Sequence, residues 1–124
     1  DQKTTFYTAL YRAHERMINI SEDGKYFSAY DGKVHEDNGV DFWVDDWVWD
    51  TYLALHPLQV LLNPEAQEQK LASYIRMYEQ SGWIPTFPCV FGDARGLGDV
   101  YKRQCMSNPG GYLLSLVYLG MRIA

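Results

Sequence analysis

The chain has 124 residues, of which 47% are hydrophobic and 22% charged, and carries a net charge of -5. These figures argue against a disordered tail, against a membrane span, because no uncharged apolar run approaches ~18 residues, and against a nucleic-acid partner, which would need a basic stripe. Length allows one domain, yet ten Tyr, five Phe and four Trp are heavy for a small one. That aromatic load points either to a large shared core or to a carbohydrate site.

The chain opens at Asp1 with no initiator Met and no basic-then-apolar leader, so it is expected to be a processed product or a piece of something longer. Cys89 and Cys105 could pair, but two cysteines make no disulfide scaffold and leave the compartment open.

Thr4 or Thr5 can cap a first helix running to about Ile18, with Phe6, Leu10, Ala13, Met17 and Ile18 at helical spacing. Ser21 to Gly24 reads as a turn. Lys25 to Tyr30, Asp31-Gly32 and Lys33 to His35 predict a short hairpin, followed by a polar loop from Glu36 to Asp41. The segment Phe42 to Leu62 is dense in apolar residues. Asp45 or Asp46 can start a helix there, and Pro57 kinks or restarts it. From Trp47 to Leu62 it is apolar nearly all round, the pattern of a helix buried on most sides. Asn63-Pro64 is a helix start, with Asn as cap and Pro at the first helical position. Leu71, Tyr74, Ile75 and Tyr78 then form one stripe on an otherwise polar helix that Gly82 ends. Alternation of a buried helix with an amphipathic one suits a double-layered helical barrel. The loop Gly82 to Gly98 carries Trp83, Pro85, Pro88, Asp93 and Arg95.

Asp99-Val100-Tyr101-Lys102-Arg103-Gln104 matches the translation of GAT-GTG-TAT-AAG-AGA-CAG, a transposon end used to make sequencing libraries. The native reading is therefore expected to stop near Gly98, with residues 99–104 a sequencing-adapter scar and the rest, to Ala124, an unassigned tail. The alternative is a native loop with two adjacent basic residues. Tyr112-Leu113-Leu114 and Val117-Tyr118-Leu119 could form a short helix in the tail. No Cys/His cluster has zinc spacing, and neither a phosphate-binding glycine loop nor a nucleophile elbow is present.

Four stretches carry a family resemblance. They are Phe6-Tyr7-Thr8-Ala9-Leu10-Tyr11-Arg12, then Asp45-Asp46-Trp47-Val48-Trp49-Asp50-Thr51-Tyr52 running on to Leu55-His56-Pro57-Leu58, then Tyr78-Glu79-Gln80-Ser81-Gly82-Trp83-Ile84-Pro85, and Gly92-Asp93-Ala94-Arg95-Gly96. In order and spacing they resemble glycoside hydrolase family 92, the calcium-dependent exo-α-mannosidases. The Trp-Asp-Thr and Leu-His-Pro-Leu run is the most specific part. The resemblance implies a mainly α fold: residues 1–98 as a partial (α/α)6 barrel with a short β-hairpin. In the family that barrel follows a β-sandwich domain.

It further implies removal of terminal α-linked mannose from glycans with inversion, helped by calcium, in a periplasmic or secreted protein. The family's acid, base and most calcium ligands lie in regions beyond this segment, so no catalytic residue and no metal ligand is assigned, and the segment alone is expected to be inactive. Beyond Leu97 the family pattern, another helix with small residues and a site-lining loop, gives way to the hexapeptide. Two other functions are alternatives: a non-catalytic carbohydrate-binding module built on Trp43, Trp47 and Trp49, and, because the architecture implied by the resemblance recurs across unrelated specificities, another (α/α)6 glycosidase such as a trehalase-like enzyme. A helical module that binds a protein partner through an apolar face is a third.

Trp49 and Asp50 are the leading substrate-binding candidates. An indole covers the CH face of a sugar, and a carboxylate accepts from two hydroxyls. The competing reading places Trp49 in the core and makes Asp50 a structural hydrogen-bond partner. Asp46 and Asp50, four apart, could share a helix face as a calcium or acid/base pair, but favourable charge at a helix N-terminus is the preferred reading. Arg95 could donate to sugar hydroxyls, or pair with Asp93 in the glycine-rich loop. Trp83 reads as a core aromatic, His56 as a satisfied core histidine, and His14 and His35 as exposed.

Overall fold

The computed structural model describes residues 1–82, 85 and 87–90, with only the backbone of Trp49. Trp83, Asp93, Arg95, the hexapeptide and the tail lie outside the described residues. The order is α1 (Gln2–Arg12), β1 (Ile18–Asn19), β2 (Lys25–Ser28), β3 (Lys33–Glu36), β4 (Trp43–Val44), α2 (Val48–Thr51), α3 (Leu55–Leu62) and α4 (Pro64–Ser81). The fold is mainly helical with small antiparallel pairings, β1 with β4 and β2 with β3.

Helix α1 is capped by Asp1, whose carboxylate accepts from the Lys3 N–H, rather than by Thr4 or Thr5. It also ends earlier than its apolar spacing predicts. After Arg12 the bonds tighten to His14 N–H to Tyr11 and Glu15 N–H to Arg12, and the helix stops. The extended chain then delivers Met17 to the core and pairs Ile18 with Val44. Tertiary pairing overrides local periodicity here, and α1 itself buries no residue.

The hairpin forms as its sequence predicts, with Lys25 opposite Glu36 and Ser28 opposite Lys33. Gly32 at its tip has φ 72°, a left-handed conformation that a side chain would strain. His35 is half-buried rather than exposed, because its ring stacks on Tyr26 and its Nε2 lies 2.9 Å from the Asp31 carboxylate.

The apolar run Trp47 to Leu62 is not one helix. It breaks between α2 and α3, and Pro57 sits in the first turn of α3, where a missing N–H costs nothing. Neither Asp45 nor Asp46 caps α2; its cap position is Trp47, with no side-chain bond. Nor is the run buried all round. His56, Gln59 and Val60 face inward, whereas Leu53 and Leu61 are 70% and 71% exposed.

Helix α4 has the predicted ends. Asn63 accepts from the Ala66 N–H at 3.2 Å, Pro64 follows, and Gly82 closes the helix at φ 79°. Its inward face differs from the predicted stripe. Tyr74 is buried, but Ile75 and Tyr78 are 48% and 52% exposed, and Gln67, Lys70, Ser73 and Met77 take the interior instead. The polar members can be buried because each finds a partner on another element.

The core joins Met17, Tyr26, Phe42, Val44, Tyr74 and Met77. Tyr26 and Phe42 stack with centroids 4.1 Å apart. Full burial of a side chain such as Phe42 contributes roughly 1.5–3 kcal/mol. Arg76 of α4 donates to the carbonyls of Val40 and Asp37, both at 2.8 Å, and its guanidinium lies 5.5 Å over Tyr26. Gln80 accepts from Ser28 at 2.6 Å and donates to the Tyr26 hydroxyl at 2.9 Å. Thus α4 is the spine on which the hairpin and the β1–β4 ribbon are mounted.

Candidate functional site

The chain turns sharply from β4 into α2, and Asp45 takes φ 68° there. The N–H groups of Asp45 and Asp46 both donate to the Pro88 carbonyl, at 2.6 and 3.2 Å, so the segment after α4 braces this turn. Arg16 reaches it from the other side. Its guanidinium donates to Asp45 Oδ1 at 2.9 Å and lies 4.8 Å from the Trp47 ring, which also meets Phe87.

Asp46 points inward and is fully buried. Its Oδ1 accepts from Thr51 Oγ1 at 2.8 Å. Its Oδ2 accepts from the Tyr74 hydroxyl at 2.6 Å and meets His56 Nε2 at 2.8 Å. Gln67 Nε2 lies 2.9 Å from the other ring nitrogen, His56 Nδ1. With the proton on Nε2, His56 donates to the carboxylate and accepts from the amide. Beside this cluster Lys70 donates to Gln59 Oε1 at 2.7 Å and lies 5.0 Å from the Trp43 ring, while Gln59 donates to the carbonyls of Ala13 and Arg16.

Burial pushes the Asp46 carboxyl up, but the hydrogen bond and electrostatic attraction of His56 and the hydrogen bonds of Tyr74 and Thr51 outweigh it, so its pKa lies below the ordinary value. Burial lowers the Lys70 pKa, and the Asp46 charge opposes that shift. Burial, with the Asp46 charge and hydrogen bond behind it, raises the Tyr74 pKa well above the usual phenol, so Tyr74 remains a donor at neutral pH. Because both Asp46 oxygens are engaged inside the fold, this carboxylate anchors α2, α3 and α4 together and has no face for a substrate.

Asp50 is different. It lies in the first turn of α2, next to Trp49, and is exposed. Its N–H donates to the Trp47 carbonyl at 2.8 Å, which fixes the backbone while the side chain faces outward. Asp46 and Asp50 therefore form no carboxylate pair on one helix face, because Asp46 precedes the helix and turns inward. His56 is a satisfied core histidine, as its apolar setting predicts. Asp93 and Arg95, the other two binding candidates, lie outside the described residues, as does the side chain of Trp49.

Among the described residues no group of three or more His, Cys, Asp or Glu side chains could hold a metal ion. Also among them, no helix is long and apolar enough to cross a membrane.

Sequence reasoning missed the roles of Asp46, Thr51, Tyr74, Gln67 and Lys70. The one available signal was that Gln67, Lys70, Tyr74 and Met77 recur at helical spacing on a single face of α4.

Comparison with known proteins places this geometry. No curated protein matches the chain. Among solved structures it is similar to a family 92 inverting mannosidase from Bacteroides thetaiotaomicron, at 36% identity and a TM-score of 0.64, over 79% of this chain and 13% of that one. The chain thus spans a small part of that relative's length. The description "Glycosyl hydrolase family 92 catalytic domain" matches residues 1–98, well over half of the chain, and the chain therefore belongs to glycosyl hydrolase family 92.

Proposed function

We propose that this chain is a segment of an inverting exo-α-mannosidase, part of an (α/α)6 barrel, and that it contributes substrate contacts rather than the acid or base. The observation that carries the reading is the 36% identity, over 79% of the chain, to an inverting mannosidase. The exposed Asp50, on a turn tied to a buried anchor, is consistent with it. In this reading Asp50 accepts hydrogen bonds from the hydroxyls of a terminal mannose and Trp49 covers the CH face of the ring. Arg95 and Asp93 supply further polar contacts to a mannose-containing glycan.

Water attacks the anomeric carbon opposite the leaving oxygen, so the bond to that oxygen breaks and β-mannose forms from an α-mannoside. Calcium, held mostly by residues of the whole protein outside this segment, would supply positive charge for the mannose hydroxyls next to the scissile bond. The whole protein acts in the periplasm or outside the cell, where such glycans are met.

The test is proton NMR of the whole protein acting on an aryl α-mannoside. β-Mannose is the expected first product, and chelation of calcium is expected to stop its release. Release of α-mannose first, or of no mannose, overturns the reading. Asp50→Asn should lower kcat/KM by about 10- to 100-fold, the range for a hydrogen bond to a charged group.

A further inference from the structure

Helix α2 has four residues and no side-chain cap, so it is too short to hold its own geometry. Its last residue is tied inward. The single Thr51 hydroxyl proton has three groups in reach: Asp46 Oδ1 at 2.8 Å, the Trp47 carbonyl at 3.1 Å and His56 Nε2 at 3.0 Å. The carboxylate is the strongest acceptor of the three. With His56 Nε2 carrying a proton, that nitrogen faces a lone pair of the Thr51 oxygen rather than competing for its hydrogen. Asp46 is in turn gripped by His56 of α3 and Tyr74 of α4. The turn is therefore tied, through one hydroxyl, to a carboxylate anchored in two longer helices, and Asp50 is the residue immediately before that hydroxyl.

We propose that Thr51, clamped by Asp46, is a positioning residue that fixes the Trp47–Thr51 turn and so sets the direction in which Asp50 meets a sugar. The proposal rests on the reading of Asp50 as a sugar acceptor given above. Neither Thr51 nor Asp46 touches the substrate. A buried carboxylate is costly unless its partners are held in place, and here the partners hold a surface turn to the interior.

The experiment compares the whole protein with its Thr51→Val and Thr51→Ser variants in two measurements. The first is amide hydrogen exchange over residues 47–52 and, as an internal reference, 66–80. The second is KM and kcat on an aryl mannoside. In Thr51→Val, exchange over 47–52 should accelerate about tenfold or more, with 66–80 unchanged. KM should rise about tenfold with kcat nearly unaltered, as for a contact made equally in the ground and transition states. Thr51→Ser, which keeps the hydroxyl, should restore both.

Unchanged exchange over 47–52, equal acceleration in α4, or failure of Ser to restore would overturn the clamp. An opened turn with normal KM would overturn its link to sugar binding while leaving the mannosidase reading intact. A parental protein that hydrolyses no mannoside would overturn that reading instead, and the exchange data would still decide the clamp.

Discussion

Replacing Tyr74 with Phe deletes one hydroxyl and leaves the ring in the core. The lost bond is short, 2.6 Å, and its acceptor is the buried, ionised carboxylate of Asp46. A hydrogen bond to a charged group is worth roughly 1.5–3 kcal/mol, against about 0.5–1.5 kcal/mol for a neutral one. Tyr74→Phe should therefore destabilise the chain by about 1.5–3 kcal/mol at neutral pH. In an Asp46→Asn background the same change should cost only about 0.5–1.5 kcal/mol, because the hydroxyl then faces a neutral amide. Taken at the midpoints of the two ranges, the coupling between the two positions is about 1 kcal/mol. Urea unfolding of the four proteins, followed by far-UV circular dichroism and analysed at constant slope, measures it. A cost below about 0.5 kcal/mol, or the same cost in both backgrounds, would refute the view that Asp46 is the charged hub of the fold.

Three further outcomes are expected. Because the Asp46 pKa is lowered on folding, its stabilisation is present above the unfolded value of 3.8 and is lost as pH falls through the folded value. Denaturant midpoints measured across that acid range should decline less steeply in Asp46→Asn. Gly82→Ala forces a Cβ onto φ 79° with nothing within 4 Å of it, so the cost is backbone strain alone, about 1 kcal/mol by thermal or urea unfolding. Sequencing the DNA that encodes residues 99–104 should return GAT-GTG-TAT-AAG-AGA-CAG; other synonymous codons would show that these residues are native.

What could be read from the sequence follows a physical divide. The ends of α4 were legible because caps are local: Asn63, Pro64 and Gly82 act through their own backbone. The β2–β3 hairpin was legible for the same reason, through Asp31-Gly32. The C-terminus of α1 was not, since Met17 and Ile18 obey helical spacing yet are claimed by partners at Phe42 and Val44. The interior face of α4 was hidden more deeply. Pattern reading sends Gln67, Lys70 and Ser73 to solvent, and only the positions of His56, Gln59 and Trp43 explain their burial. At the candidate site the adjacency of Trp49 and Asp50 was plain. That Asp46, four residues earlier, turns inward instead of joining Asp50 depends on donors from three separate helices.

The pairing of Ile18–Asn19 with Trp43–Val44 closes the chain between them into an excursion that leaves and rejoins the body at one place. The hairpin carried on that excursion is held through Ser28 and Tyr26 to Gln80, contacts separated by 52 and 54 positions. Its ladder bonds are local, but its docking is complete only when the last turns of α4 bring Gln80 to Ser28 and Tyr26. Folding should therefore run against the order of the chain, with the hairpin docking last. Clipping the end of α4 would remove both Gln80 contacts without breaking one of the hairpin's own strand bonds, leaving it held by the stack of Tyr26 on Phe42.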